Sequence, residues 1–319
     1  MRLAILFIVA TQALVAQTAQ PPTFRAESSL VPIDAQVVEA GRPLAGLRVE
    51  DFILREEGVP RPIVYFGRES EPIQVVLLLD ISGSMGPILR DMAASARSAL
   101  ASLRRGDQVA VALFARHARV TLELTPELDL AVRALKEAPL ERSLGAGTSI
   151  NEALLDVAAY LETAPPFSGR RAIVILTDNG GMHYQTPDDK VQRALAGAGA
   201  VLNAIVSPSA KPPSAPSPGG NPDFTPADVF SLAARSGGEV LRASKASAPF
   251  QLMLERLRLR YSLAIRPSPA PPGTFLRLQL DLSADARRRH PKAEIRARAG
   301  YYAPQPTSSS LTGFGEPPK

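Results

Sequence analysis

Hydrophobic positions keep two different rhythms along this chain. Near the start, Val31, Ile33, Ala35 and Val37 alternate with polar neighbours up to a turn at Gly41, and "FILREEGVPRPIVYF" adds two short runs about Glu57-Gly58. Period two with no helical stripe predicts an N-terminal β segment over residues 20–71. From Pro72 the rhythm changes. "PIQVVLLLD" is continuously apolar, as a parallel strand covered on both faces would be. The stretch after it sets Leu89, Met92, Ala96, Leu100 and Leu103 on one helical face, with Pro87 in its first turn. "QVAVALF" and "RVTLEL" read as a second and third buried strand, "RAIVILTD" as a fourth, "AVLNAIVS" as a fifth and "RYSLAI" as a sixth.

Helical patterns fill the gaps: "PELDLAVRALKEA", "SINEALLDVAAYLETA" opened by a Ser149–Glu152 capping box, "TPDDKVQRALAGAG", "TPADVFSLAARSGG" stopped at Gly237-Gly238, and "APFQLMLERLRLR". Strands alternating with helices over residues 72–266 predict an α/β fold, a doubly wound, mostly parallel Rossmann-like sheet. The β rhythm then returns in Leu276, Leu278, Leu280 and Leu282 and in "AEIRARAGYYA". This predicts a C-terminal β hairpin over 267–303 with "ARRRHPK" as its loop, packed with the N-terminal strands as a small β module. Tyr301 and Tyr302 read as packing for its closing strand. Pro208 to Phe224 reads as a proline-rich loop, and 304–319 as a disordered tail.

Residues 1–19 have a basic start, an apolar run from Leu3 to Ala10 and small residues at Ala16 and Ala19, the order of a signal peptide. The run is too short for a membrane span. An exported protein, periplasmic or extracellular, with no stable membrane span after cleavage, is the expectation. With no cysteine among 319 residues, disulfides, thiolate metal sites and cysteine nucleophiles are excluded. The net charge of +5 rests on arginine without aromatic interleaving, so no nucleic-acid partner is expected. Arg256, Arg258 and Arg260 read as a solvated face with snorkelling stems.

The chemistry gathers at strand ends. Asp80 closes the first buried strand in "VVLLLDISGSMGP", with Ser82 and Ser84 in the loop that enters a helix. Asp178 closes the fourth strand, and Thr148 stands just before a helix start. In an open parallel sheet, ligand sites form at the carboxyl ends of strands. If the first and fourth strands are neighbours, these five side chains converge. Two carboxylates and three hydroxyls are hard oxygen donors suited to Mg²⁺, Mn²⁺ or Ca²⁺. A cation would relieve the repulsion of the paired carboxylates, and its neutral ligands would leave it able to accept an anionic oxygen from elsewhere.

Asp80-Ile81-Ser82-Gly83-Ser84, with Thr148 and Asp178, resembles the metal-ion-dependent adhesion site of von Willebrand factor type A domains. The likeness runs from about Pro72 to Arg266. It implies a non-enzymatic protein-binding module that holds Mg²⁺ (or Mn²⁺ or Ca²⁺) through Asp80, Ser82, Ser84, Thr148 and Asp178. A protein partner would supply a carboxylate as a further ligand. The flanking segments resemble those of a bacterial secreted subgroup. The chain departs from many relatives at Asn179-Gly180-Gly181, where they carry further acidic residues.

Catalytic patterns are missing. A haloacid-dehalogenase-type phosphatase needs an aspartate where Ser82 stands, and a nucleophile elbow needs a glycine there. There is no phosphate loop. Of the three histidines, His117, His183 and His290, His183 alone is placed near the site. Two other readings stay open: a structural or assembly factor working through its β module with a vestigial metal site, and a metal-dependent hydrolase.

Overall fold

The computed structural model describes residues 30–67, 71–183, 186–214, 225–243 and 247–304. The expected signal peptide, the end of the proline-rich loop and the tail beyond Pro304 lie outside these residues. The chain opens with β1 (Val31–Glu39), β2 (Arg42–Pro43), β3 (Phe52–Glu56), β4 (Val59–Arg61) and β5 (Tyr65–Gly67). Next come β6 (Ile73–Asp80), α1 (Gly86–Leu100), β7 (Gln108–Phe114), β8 (Ala118–Thr125), α2 (Leu128–Glu137), α3 (Ile150–Thr163) and β9 (Arg170–Thr177). The ribbon strand β10 (Met182–His183), α4 (Asp188–Gly197), β11 (Ala200–Val206), β12 (Thr225–Pro226), α5 (Val229–Ser236), β13 (Val240–Arg242) and α6 (Ser247–Arg258) follow. The chain closes with β14 (Tyr261–Ile265), β15 (Phe275–Leu282), α7 (Ala284–Arg289), β16 (Glu294–Arg296) and β17 (Gly300–Tyr302).

Six strands form the main sheet in the order β13-β11-β9-β6-β7-β8. All neighbours are parallel except β8, which runs antiparallel to β7. Every residue of β6 is buried, as its unbroken apolar run predicts. Helices α1, α2 and α6 cover one face through residues such as Leu89, Leu135 and Phe250. Helices α3, α4 and α5 cover the other through Leu154, Val191 and Leu232. The sheet is therefore doubly wound.

Four expectations about the strands and helices need correction. The strand β8 is a half-exposed antiparallel edge, because its Val120, Leu122 and Leu124 alternate with Arg119, Thr121 and Glu123. The sixth strand of the main sheet is β13, whereas "RYSLAI" forms β14, paired antiparallel with β1 and β5. Ser149 sits at the α3 N-cap without a side-chain capping bond. The first four residues of "ARRRHPK" lie in α7 rather than an open loop, because the Ser283 side chain accepts from the Ala286 N–H and starts a turn.

The flanking strands build two antiparallel sheets, β16-β1-β14-β5 and β17-β15-β3-β4, which share one core around Ile33, Leu54, Tyr261, Leu263 and Tyr301. Phe52 meets Tyr261 edge-on with ring centroids 5.3 Å apart. The seam between this core and the main sheet is ionic. Arg258 pairs with Asp107, Arg260 with Asp34, and Arg256 with Glu239 at 2.5 Å. These arginines are not a solvated face. Arg258 and Arg260 are 5% and 1% exposed, and each has a carboxylate that makes its burial tolerable. The basic residues of the α7 region are also partnered: Arg287 with Asp281, Arg288 with Asp285, Arg289 with Asp51 and His290 with Glu39.

Candidate metal centre

Strand β6 carries Asp80 to the carboxyl edge of the sheet, and β9, its parallel neighbour, carries Asp178 one residue past its own end. The Ile81 N–H still bonds the Phe114 carbonyl at 2.8 Å, after which a short 3₁₀ turn over Gly83–Met85 leads into α1. Ser82 precedes that turn without capping it, which leaves its hydroxyl available. Ser82 Oγ lies 3.3 Å from Ser84 Oγ, and Ser84 Oγ donates to Asp178 Oδ2 at 2.6 Å. The Ser82 N–H donates to Asp80 Oδ1 at 2.9 Å. Asp80, Ser82, Ser84 and Asp178 thus form one connected string across two strands.

Thr148 makes no hydrogen bond to that string. Its loop is placed by Gly181: a Cβ there would lie 2.4 Å from the Thr148 carbonyl oxygen and 3.3 Å from Ile150. Only glycine lets the Asp178 loop and the Thr148 loop come this close. The neighbouring departure has a similar origin. Asn179 has φ +58°, its side-chain amide donates to the Lys211 carbonyl at 3.1 Å, and its Oδ1 accepts from the Val229 N–H at 3.1 Å. Asn179 ties three loops together in a left-handed conformation that asparagine tolerates. The Asn-Gly-Gly run therefore serves backbone geometry where an acidic residue would add charge.

Sequence reasoning missed Thr177. It is fully buried, donates to Asp80 Oδ2 at 2.8 Å and accepts from the Asn179 N–H at 3.1 Å. The signal was a hydroxyl in an otherwise apolar strand, immediately before the aspartate. Asp80 itself is fully buried, and burial raises its pKa to about 6 against the hydrogen bonds from Ser82 and Thr177, with the charge of Asp178 adding to the rise. Ser84 and Gly83 are exposed, so the string opens to solvent on one side. Of the histidines, His117 is exposed and donates its backbone N–H to the Leu144 carbonyl, and the backbone of His183 pairs with Thr225.

The residues present fit a hard divalent cation. All side-chain donors are oxygens, and a buried carboxylate held against its own desolvation gains most from a positive charge beside it. Among the described residues no three or more His, Cys, Asp or Glu gather as a metal-binding group, here or elsewhere; the candidate set is two carboxylates and three hydroxyls. Beside the string, a cavity of about 290 Å³ runs from Ser82 and Gly83 to Arg142. A larger cavity of about 600 Å³ lies at the opposite end of the sheet, along the ionic seam. Its Glu71 is already engaged by Tyr65, Ser262 and Arg170, and its Asp34 by Arg260.

Residues 75–181 match the von Willebrand factor type A domain family. No curated protein matches the chain. Among solved structures, an aerotolerance-related membrane protein from Bacteroides fragilis NCTC 9343 is 20% identical, covering 58% of this chain and 98% of its own, with a TM-score of 0.45. The conserved hypothetical protein BatB from Bacteroides thetaiotaomicron is also 20% identical, over 58% and 97%, with a TM-score of 0.45. A von Willebrand factor type A protein from Catenulispora acidiphila is 16% identical over 88% of this chain and 75% of its own, with a TM-score of 0.44. No helix among the described residues is long and apolar enough to cross a membrane.

Proposed function

From a chain whose residues 75–181 form a von Willebrand factor type A domain, a protein-interaction module, we propose an exported adhesion function carried by a divalent cation at the carboxyl edge of the main sheet. Asp80, Ser82, Ser84, Thr148 and Asp178 would hold Mg²⁺ or a similar ion. When bound, the ion would supply a Lewis-acidic position for a carboxylate of a protein partner.

The observation that carries the reading is the hydrogen-bonded string from Asp80 through Ser82 and Ser84 to Asp178, two strands brought into one oxygen cluster. Thr177 orients the Asp80 carboxylate, and Gly181 sets the distance to the Thr148 loop. The nearby amino end of α1 adds a partial positive charge that favours an incoming carboxylate. The arrangement would accept an acid, and we read the role as recognition rather than turnover.

Calorimetric titration of Mn²⁺ into chelator-stripped protein tests the reading. One site per chain is expected in the wild type and none in Asp80→Ala or Ser84→Ala. Equal titration of all three proteins would overturn it.

A further inference from the structure

The metal string occupies one end of a groove whose other end is basic. The cavity beside it is floored by Ile81, Leu89 and Pro139 and closed by Arg142 and the glycine loop at 145–147. Leu140, 77% exposed, stands between two of its lining residues. One arginine, Arg142, lines this groove, and two more stand against its lining glycines. Arg142 donates to the carbonyls of Pro139 and Glu141 at 2.8 and 2.6 Å. Arg116 packs on Gly145, and Arg90 folds back to within 3.5 Å of the Cβ position of Gly86, both glycines lining the cavity. Among the described residues none of the three has a carboxylate partner, in contrast to the arginines of the seam.

Among the residues lining the cavity the acid is Glu141, and it is already engaged. Its Oε2 takes Arg119 at 2.5 Å, and its Oε1 takes the N–H groups of Arg142 and Ser143. Those hydrogen bonds hold its pKa at about 2, so it stays ionised and committed to its own loop. The groove therefore offers an apolar floor and uncompensated positive charge, next to the place where a partner's first carboxylate would arrive.

We propose that the partner segment is acidic at two points: one carboxylate for the metal position and a second for Arg142 and its neighbours, with an apolar side chain between them seated on Ile81, Leu89 and Pro139. This rests on the metal reading above and narrows its partner class to an acidic-apolar-acidic peptide segment. Charge complementarity carries the argument, because a lone carboxylate would leave Arg142 and the apolar floor unused.

The test uses the full chain and a set of capped synthetic peptides. Each carries leucine between two aspartates at separations of two to four residues, or has one aspartate replaced by asparagine. Binding is read by fluorescence anisotropy in Mg²⁺ and in EDTA, with metal occupancy checked by calorimetry. In Mg²⁺ the two-acid peptides at the best spacing should bind about two- to fivefold more tightly than either single-acid version. Arg142→Gln should remove that advantage while leaving single-acid binding and metal occupancy unchanged. Equal affinity of one- and two-acid peptides at every spacing, with the metal bound, would overturn the groove assignment alone. Failure of the wild type to take up metal would instead overturn the reading on which it rests.

Discussion

A buried carboxyl whose pKa rises on folding makes the protein pay for being charged, and Asp80→Asn isolates that cost. The Asp80 carboxyl goes from 3.8 to about 6 on burial, which corresponds to about 3 kcal/mol at neutral pH. Because the folded value is the higher one, protonation favours the folded state. In chelator, the stabilisation is fully present below pH 3.8 and is lost as pH rises through about 6. Asparagine has the same shape and does not titrate, so the variant escapes the loss. Its amide would donate to the Thr177 hydroxyl, which must then accept, a rearrangement costing roughly 1 kcal/mol at every pH. Urea unfolding in EDTA at pH 4 and pH 7.5 measures the balance. The stability of Asp80→Asn relative to wild type should improve by about 2 kcal/mol between the two. Saturating Mg²⁺ at pH 7.5 should reverse the order, since about a hundredfold excess over the dissociation constant adds about 2.7 kcal/mol to the wild type alone. A wild-type-to-variant difference that stays constant from pH 4 to pH 7.5 would refute the assignment of Asp80 as the charge whose burial needs a cation.

Other substitutions probe the supports of the site. Thr177→Val removes the donor to Asp80 Oδ2 and should weaken Mn²⁺ binding about tenfold by calorimetry; unchanged affinity would remove Thr177 from the positioning role. Gly181→Ala must displace the Thr148 carbonyl and should cost about 1–3 kcal/mol in chemical unfolding as well as metal affinity. Gly83→Ala, which meets nothing within 4 Å, should leave stability unchanged. Arg258→Met removes the ion-pair partner of the buried Asp107 carboxylate, leaving it the Ile73 and Arg104 N–H groups, and should cost about 3–5 kcal/mol, read as a lowered calorimetric Tm with metal binding retained.

The legible parts of this fold were those set by local pattern. Short, mostly apolar runs bounded by turn residues read as strands covered on both faces, so β6, β7, β9 and β11 and their alternation with helices could be read directly. The placement of Asp80 and Asp178 at neighbouring strand ends was legible for the same reason, since each marks the end of such a run. What could not be read depends on partners distant in sequence. Nothing local separates β14 from a further parallel strand; its pairing with β1 is decided some 230 residues away. Arg258 and Arg260 look solvated until Asp107 and Asp34 are seen beside them. The alternation in β8 was present in the sequence and distinguishes an edge strand from a buried one. The positioning role of Thr177 follows only from the juxtaposition of β6 and β9.

The central claim is that a divalent cation rests among Asp80, Ser82, Ser84, Thr148 and Asp178. Anomalous diffraction from crystals grown in Mn²⁺ tests it most directly. One strong peak per chain is expected within bonding distance of the two serine hydroxyls, absent from Asp80→Ala crystals. An empty map at that position in well-folded wild-type protein, or a peak located elsewhere and unaffected by Asp80→Ala, would contradict it.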